Sequence, residues 1–295
     1  MITITRNTAR QIASLFRRAL GVSNQQLAGQ FVRLNAGPHG LTIQAATAQT
    51  AVEYHEAIAI PPSIMQAPLE LFKTVGSTKA DLVTLVEADD GKVIARWQDG
   101  AVPRSGQWPC RNERELVAMP SPPTSFVENP PEFLAAVRAA LETTDANPTR
   151  FALNCLRLRG SDGSIAATDG RQIFKQAGFE LGFREEVLFY PANVFDMKEL
   201  PTGKVVSIGR TETHIVFAIG PWTFHQAIEK DRRYPRVEDV AKRWPMNWLA
   251  SIQQPMATKR HQPTAMATPR ATANVTAMLA HATVLVPPLP AKFER

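Results

Sequence analysis

The chain contains little of what disulfide scaffolds, metal sites and membrane proteins require. Its 295 residues include two cysteines, Cys110 and Cys155, which form neither a CxxC pair nor a metal-ligand spacing. No apolar run approaches the roughly 18 residues that cross a bilayer, and no apolar signal-peptide core follows the N-terminus. The sequence therefore predicts two reduced thiols, with Cys155 buried in a strand, and a cytoplasmic protein.

Catalytic motifs are also missing. The chain has no HExxH, GxSxG or GxxxxGKS/T sequence and no closely spaced carboxylates of the kind that a two-metal nuclease uses. His214 and His225 stand eleven residues apart without neighbouring ligands. Asp169 precedes a glycine, a position where its side chain caps backbone amides. We expect a protein that is not an enzyme and needs no cofactor or metal; the alternative is a metal-dependent nuclease that requires Asp169.

The first 240 residues have no excess of positive charge. Residues 1–120 hold 12 basic and 10 acidic side chains, and residues 121–240 hold 14 and 16. The net charge of +6 arises in residues 241–295, which contain 7 basic side chains and one acidic side chain, Glu294. A globally basic surface therefore cannot be the basis of nucleic-acid binding by the folded part.

The C-terminal segment has a different composition. From Gln253 onward it is rich in alanine, threonine, proline and methionine and lacks sustained periodicity. Such a composition buries too little apolar surface to offset the entropy of the chain. We predict that residues 242–295 form a disordered basic tail that attracts phosphates non-specifically; the alternative is an extension without function.

One order of elements occurs twice in the sequence, with a spacing of roughly 120 to 130 residues. Each copy reads as a helix, extended segments, a second helical stretch, further strands and an aromatic residue followed by proline. The second helical stretches are Pro62–Val75, in which Pro68 kinks the helix or delays its start, and Pro191–Leu200. A repeat of this length has the size of a whole domain. The matching landmarks are Leu20 with Leu141, Ala46-Thr47 with Ala167-Thr168, and Trp108-Pro109 with Tyr234-Pro235.

The most informative stretch is residues 150–176. Phe151, Leu153 and Cys155 alternate with period two, which predicts a strand with one buried face. Turn residues follow at 160–163, the extended pattern resumes at Ile165, and Asp169-Gly170 turns the chain again.

Together with the later Tyr190-Pro191 and Tyr234-Pro235 pairs, this stretch resembles the central domain of the bacterial DNA polymerase III β subunit, the sliding clamp. The resemblance implies an α+β fold with two tandem clamp domains, residues 1–120 and 121–241, each with two helices packed on a curved antiparallel sheet. No segment resembles the third domain that bacterial clamps carry.

The resemblance implies a DNA polymerase processivity factor. Such a protein encircles double-stranded DNA, tethers the replicative polymerase and other clients, and is opened by a clamp loader. Because six domains complete a clamp ring, a two-domain chain implies a homo-oligomer of three copies. The alternative is a diverged or truncated clamp that binds client peptides without closing a ring.

Residues that face DNA are expected on the helices, which line the central hole in the family. In the first helix Ile12, Leu15 and Phe16 share one apolar stripe, and the opposite face is polar. A solvated basic face would give the same pattern. The candidates for contact with DNA are Arg10, Ser14, Arg17, Lys73, Arg138 and Lys198.

Clamps bind clients in a hydrophobic cleft, and part of that cleft has a counterpart here. Leu153 matches the leucine of the family's R-x-x-L-N run, between Arg150 and Asn154. The T-D-G-H-R-L run is matched except at its His-Arg pair, and the F-P-D-Y-x-x-V segment is matched at its proline and valine. Apolar walls with a few polar groups suit peptide capture. The predicted cleft residues are Leu153, Thr168, Gly170, Arg171, Gln172, Ile173, Pro235 and Val240.

Overall fold

The computed structural model describes residues 1–88, 90–111, 115–145 and 151–235, together with the strand Thr283–Val284. These residues form antiparallel sheets with a few helices, which confirms the α+β clamp fold. The first copy of the repeat consists of β1 (Ile2–Thr5), α1 (Arg6–Ala19), β2 (Phe31–Gly37), β3 (Gly40–Ala46), β4 (Thr50–Glu56), β5 (Ser63–Pro68), α2 (Leu69–Gly76), β6 (Leu82–Ala88), β7 (Lys92–Asp99) and β8 (Val102–Pro109).

The second copy follows in the same order, with one short helical turn in place of α2. Its elements are β9 (Phe126–Asn129), α3 (Glu132–Leu141), β10 (Leu156–Arg159), β11 (Ser164–Thr168), β12 (Ile173–Gln176), β13 (Glu186–Phe189), a 3₁₀ turn (Asn193–Asp196), β14 (Val206–Arg210), β15 (His214–Ile219) and β16 (Trp222–Glu229). The predicted boundary at residue 120 falls in the connector between β8 and β9.

Strand pairing repeats along with element order. In the first copy β1-β6-β7-β8 and β4-β3-β2-β5 are hydrogen-bonded neighbours, and in the second copy β9-β14-β15-β16 and β12-β11-β10-β13 are. All these pairs are antiparallel. The agreement in pairing, and not only in order, supports a duplication of one structural unit.

The two copies join through a strand pair. β16 of the second copy pairs antiparallel with β4 of the first, with Trp222 opposite Tyr54 and His225 opposite Ala51. The Trp222 ring lies 4.8 Å from the Tyr54 ring, between centroids, and meets the edge of Phe16 on α1. One sheet therefore runs through both copies, and its inner face shares the core with α1.

The first helix behaves as its periodicity predicts. Ile12, Leu15 and Phe16 are fully buried, and the Thr5 side chain caps the N-terminus by accepting a 3.0 Å hydrogen bond from the Thr8 amide. The cap starts the helix at Arg6, six residues before Ile12, the first position of the apolar stripe.

The second helical stretch of each copy is shorter than predicted. Residues 63–68 form strand β5, and α2 begins only after Pro68, because proline cannot donate within a helix but fits its first turn. In the second copy the predicted helix Pro191–Leu200 is wrong: a single 3₁₀ turn forms there. Prolines at 191 and 201 bound the segment, and Asn193 and Asp196 favour turns over helix interiors.

Arg138 holds this 3₁₀ turn against α3. Its Nε donates to the carbonyl oxygen of Phe195 at 2.7 Å, and its Nη2 donates to that of Met197 at 2.8 Å. Both carbonyls lie at the end of the turn, where no further helical residues could supply partners. The guanidinium therefore replaces contacts that a longer helix would have made itself.

The strand predicted over residues 151–155 is also wrong. This segment is a turn, in which the Cys155 amide donates to the Ala152 carbonyl at 3.1 Å, and the strand begins at Leu156. Burial does not alternate here: Ala152 and Cys155 are buried against Leu188 and Tyr234, and Phe151, predicted on the buried face, is 41% exposed. The burial of Cys155 is confirmed, and desolvation raises the pKa of its thiol to about 12.

The predicted tail lies almost wholly outside the described residues. Within it, Thr283–Val284 forms β17, which pairs antiparallel with β12 through Val284 opposite Ile173 and Thr283 opposite Phe174. Among the helices of the described part, none is long and apolar enough to cross a membrane.

Removing the Arg138 side chain should destabilise the fold. We expect Arg138→Ala to lower the free energy of unfolding by about 2 kcal/mol, because two carbonyls lose a charged donor. Lys198→Ala, two residues beyond the same turn and exposed, should change it by less than about 0.5 kcal/mol. Urea unfolding of both variants measures the difference; equal stabilities would contradict the role of Arg138.

Candidate functional site

Four of the six predicted DNA-facing residues come together between α1 and α2. Arg10, Ser14 and Arg17 on α1 and Lys73 on α2 line one shallow depression of about 360 Å³. The spacing of three and four residues places the α1 side chains on one face of that helix. No carboxylate lines this depression, so its three positive charges face solvent without an acidic side chain among them.

The geometry of the depression depends on a close approach of the two helices. A Cβ added at Gly76 would lie 3.0 Å from the backbone of Arg10, so a glycine at the end of α2 permits the contact. The carbonyl of Gly76 accepts a 3.5 Å hydrogen bond from Arg10 Nη2, and Lys73 Nζ donates to Asn24 Oδ1 at 3.5 Å. These long, exposed contacts leave the cations available for phosphate oxygens.

The other two predicted residues lie beside the 3₁₀ turn of the second copy. Lys198 is exposed directly after this turn, which packs against α1. Arg138 instead uses its guanidinium for the Phe195 and Met197 carbonyls. The structure therefore gives Arg138 a packing role, and we leave it out of the DNA-facing set proposed below.

The turn of the predicted client cleft is closed by its own side chains. Thr168 Oγ1 donates to the Gln172 carbonyl at 2.7 Å and accepts from the Gly170 amide at 3.0 Å. Asp169 Oδ1 accepts from the amides of Arg171 and Gln172, each at 2.8 Å. This is the capping role that the sequence predicts for Asp169. Gly170 has φ of +88°, a backbone conformation that favours glycine.

Apolar cleft residues gather beside this turn. Leu153 Cδ1 would lie 3.9 Å from a Cβ at Gly170, and Ile173 packs on a small buried cluster that includes Cys155, Leu188 and Tyr234. The Ala152 amide donates to the Arg233 carbonyl at 3.1 Å and so brings Tyr234-Pro235 to the same end of the sheet. Val240 and Arg150 lie outside the described residues.

Charged groups surround the cluster without offering a reactive centre. The Arg157 guanidinium lies 5.0 Å from the centroid of the Tyr234 ring and 3.6 Å from Glu186. Tyr190 donates its hydroxyl to Glu229, and burial together with this carboxylate raises the tyrosine pKa. Since the Cys155 thiol is also held protonated at neutral pH, these side chains favour binding over nucleophilic chemistry.

The two histidines noted in the sequence meet at the junction of the copies. The rings of His214 and His225 lie 6.3 Å apart. Burial lowers the pKa of His225 to about 4, and the neighbouring His214 adds to that shift. In the described part of the chain no group of three or more His, Cys, Asp and Glu side chains is placed to hold a metal ion.

Two features escaped the sequence patterns, since both are produced by long-range pairing. The first is a pair of sheet edges: β8 has a strand partner on one side, β7, and β12 carries only the two residues of β17 on its outer side in the described structure. The second is a cavity beneath the connector, lined by residues from β2, β3 and positions 111–119. Turn residues in the sequence mark where strands end, but they do not show which strands pair. The edge strands could therefore not be identified without the pairing order.

Solved structures resemble this fold closely. The β subunit of DNA polymerase from Streptococcus pyogenes matches at a TM-score of 0.65 and 12% identity, over 80% of this chain and 66% of that chain. The DNA polymerase III β subunit from Pseudomonas aeruginosa matches at 0.65 and 15%, over 81% and 67%. The β clamp of Helicobacter pylori bound to a DNA ligase peptide matches at 0.66 and 13%, over 83% and 70%.

Neither a protein-family model nor a curated protein matches this chain. The chain spans about two thirds of the length of the solved clamps. At sequence identities of 12% to 15% these similarities support the fold alone. The duplicated pairing order described above agrees with that fold. The described residues therefore have the sliding-clamp fold of the bacterial DNA polymerase III β subunit, over about two thirds of that protein's length.

Proposed function

We propose that this protein is a sliding-clamp-like processivity factor that encircles duplex DNA and tethers a DNA polymerase, as an accessory protein and not as an enzyme. The observation that carries the proposal is the pairing of β16 with β4 between the two copies. In a duplicated unit, this junction leaves two equivalent strands with an edge that no long strand of the described part occupies: β8, equivalent to β16, in the four-stranded sheet, and β12, equivalent to β4, in the larger sheet.

The internal junction supplies a template for contact between chains. β8 and β16 both follow a two-residue turn, so Val102 corresponds to Trp222 and Ser105 to His225. The pairing of β4 with β3 and of β12 with β11 makes Ala51 correspond to Ile173. If chains join as the copies do, Ser105 of one chain pairs with Ile173 of the next, and Pro103 with Lys175.

The composition of β8 suits an edge that pairs with another chain. Pro103 and Pro109 lie an even number of residues from Ser105 on β8, so the backbone nitrogens of all three point to the same side of the strand. Proline in an edge strand turns its nitrogen away from the sheet. Between the prolines only Ser105 and Gln107 therefore have outward-facing amides, and Ser105 is the one that faces β12. A head-to-tail contact of this kind closes into a ring only at a fixed number of copies, which the family resemblance implies to be three.

A cysteine pair tests this register. We expect Ser105→Cys combined with Ile173→Cys to form an inter-chain disulfide on mild oxidation, because directly opposed residues lie about 5.5 Å apart between Cα atoms. Non-reducing electrophoresis measures the cross-linked species.

The matched control moves one cysteine along the same edge. Gln107→Cys combined with Ile173→Cys is displaced by two residues, or about 7 Å along the strand, and should cross-link poorly. Equal cross-linking of both pairs at micromolar protein concentration would contradict the register, and no cross-linking of either would contradict the head-to-tail contact.

Retention on DNA is proposed to depend on the α1–α2 depression. Encirclement needs only weak, screened phosphate contacts, which is compatible with the near-neutral charge of residues 1–240. Arg10, Ser14, Arg17, Lys73 and Lys198 are the proposed DNA-facing residues.

Removing charge from this face should weaken retention in a salt-dependent way. For Arg10→Ala combined with Arg17→Ala we expect faster loss from circular DNA, with the slope of log affinity against log salt reduced by about two. Lys204→Ala combined with Lys230→Ala removes two exposed charges elsewhere and serves as the control. Identical slopes for the two double variants would exclude the proposed face.

Client binding is proposed at the cleft formed by Leu153, the 168–172 turn, Ile173 and Pro235. Leu153→Asp should weaken binding of a peptide of the Gln-Leu-x-Leu-Phe type at least tenfold, since an unpaired charge would meet the apolar anchor. Fluorescence anisotropy of the labelled peptide measures this, with circular dichroism as the check on folding. Unchanged peptide affinity in Leu153→Asp would exclude this cleft as the client-binding site.

A second candidate function has one observation in its favour. β17 of the chain itself pairs with Ile173 and Phe174, the residues that contact between chains requires. A chain whose tail keeps that edge would act as a client-binding module without a ring. The assembly state in solution separates the two functions.

A further inference from the structure

An open depression of about 840 Å³ lies on the four-stranded sheet, where β6 begins and β7 turns into β8. We call it the outer groove. Its floor includes one row of directly opposed residues, Thr84 on β6, Arg96 on β7 and Ser105 on β8. Leu82, two residues before Thr84, shares that face and is 59% exposed. The loop at 79–81 forms one wall.

The outer groove lies on the side of the sheet that faces away from the helices. Val83 and Ala95, which alternate with Thr84 and Arg96 along their strands, are fully buried in the core that also contains the apolar side chains of α1 and α2. Strand alternation therefore directs Arg96 away from that core and from the α1–α2 depression. An anion that reaches Arg96 comes from outside the proposed path of DNA.

The cations of the outer groove are not engaged by acidic side chains. Lys79, Arg96 and Arg104 line the groove together with one carboxylate, Asp81, and all four residues are exposed. In the described part of the chain none of the four forms an ion pair. Arg104 alternates with Ser105 and so faces the other side of the sheet. Lys79 and Arg96 are therefore the cations available to a ligand in the groove.

The proposed contact between chains extends the floor of the groove into the client cleft of the next chain. Where Ser105 pairs with Ile173 of the next chain, one row runs from Arg96 through Ser105 to Ile173 and on to Thr168. Ile173 faces outward, as Ser105 does, because the following residue, Phe174, is in the core. Neighbouring strands are about 4.8 Å apart, so Arg96 lies about 10 Å from Ile173, within reach of a peptide that is bound there.

The equivalent row at the internal junction has a different character. There Val216 on β15 is opposite His225 on β16, which is opposite Ala51 on β4, and all three are buried. Arg96 is the residue that corresponds to Val216, and it is exposed. A contact that only joined two copies would need no charge at this position. The exposed cation beside an apolar cleft is instead what recognition of a charged ligand requires.

We propose that the outer groove of one chain completes the client cleft of the next and binds an acidic flank of the client peptide, whose leucine or phenylalanine anchor enters the cleft. Leu153 and Ile173 of one chain supply the apolar part, and Arg96 and Lys79 of its neighbour supply the charge. Guanidinium and ammonium groups hold carboxylates by charge-assisted hydrogen bonds. The inference rests on the proposed function for the contact between chains, in which β8 takes the place of β17 beside β12.

Peptide binding to the full-length protein tests the charge requirement. The acidic probe is fluorescein-labelled Asp-Glu-Gln-Leu-Ser-Leu-Phe-Glu-Asp. The amide probe, Asn-Gln-Gln-Leu-Ser-Leu-Phe-Gln-Asn, has nearly the same shape without the charges. We expect the wild-type protein to bind the acidic probe at least fivefold more tightly at low salt, where charges are least screened.

Two double variants locate that preference. In Lys79→Ala combined with Arg96→Ala, affinity for the acidic probe should fall to that for the amide probe. Both side chains are exposed, so the thermal unfolding midpoint should not change. Lys204→Ala combined with Lys230→Ala removes the same number of charges elsewhere and should retain the preference.

Mixing two defective chains tests whether the site is shared between neighbours. Leu153→Asp disables the cleft and keeps the groove, whereas Lys79→Ala combined with Arg96→Ala keeps the cleft and disables the groove. In co-expressed assemblies the groove of the first variant can meet the cleft of the second. Preferential binding of the acidic probe should therefore reappear in the mixture, although neither variant shows it alone.

Several results would overturn the inference. These are equal or absent binding of the two probes by the wild-type protein, an unchanged preference in the Lys79 and Arg96 double variant, and a mixture without recovery. Displacement of the acidic probe by a short single-stranded DNA of equal charge would assign the cations to phosphate and also contradict it. A mixture without recovery in a closed oligomer leaves the proposed function intact, whereas the absence of any oligomer contradicts both.

Discussion

The strand pair between β16 and β4 is the interaction on which the rest of the structure depends. It joins two copies of one unit by backbone hydrogen bonds and packs Trp222 against Tyr54 and Phe16 in a shared core. Because side-chain direction along a strand alternates, this pairing also fixes which faces of both copies meet solvent. The same junction leaves β8 and β12, the counterparts of β16 and β4, without that pairing.

Two strand edges, on β8 and on β12, are where the proposed contact between chains would form. Open edges tend to pair with another chain unless they are blocked. On β8, prolines shorten the available edge, and on β12 the two residues of β17 cover it. In the proposed function, assembly and self-pairing are alternatives at the β12 edge, and their balance would decide between a ring and a separate interaction module.

The local parts of the fold could be predicted from sequence. Periodicity identified α1, turn residues identified the 168–172 turn with the capping role of Asp169, and the repeat identified two units. The errors arose where local signals were ambiguous. The sequence of residues 151–155 alternates as a strand would, but the segment is a turn in which Ala152 and Cys155 pack on Tyr234 and Leu188. Apolar residues between Pro191 and Pro201 suggested a helix, yet one 3₁₀ turn forms, because Asn193 and Asp196 favour turns over helix interiors.

The candidate sites divide in the same way. Arg10, Ser14 and Arg17 follow from helix geometry alone, and their approach to Lys73 requires Gly76, whose role is visible only in three dimensions. Arg138 has the same sequence signal as Arg17, and only the position of the 3₁₀ turn distinguishes a packing arginine from an available one. The cavity beneath the connector is lined by residues as far apart as Gly29 and Met119, so no local pattern could indicate it.

The central claim is that chains join head to tail as the two copies do within one chain. Native mass spectrometry of the purified full-length protein at micromolar concentration measures the assembly directly. The account predicts a species of three times the 32.5 kDa chain mass, with no ladder of open oligomers. A monomer alone, with and without circular DNA, would contradict it.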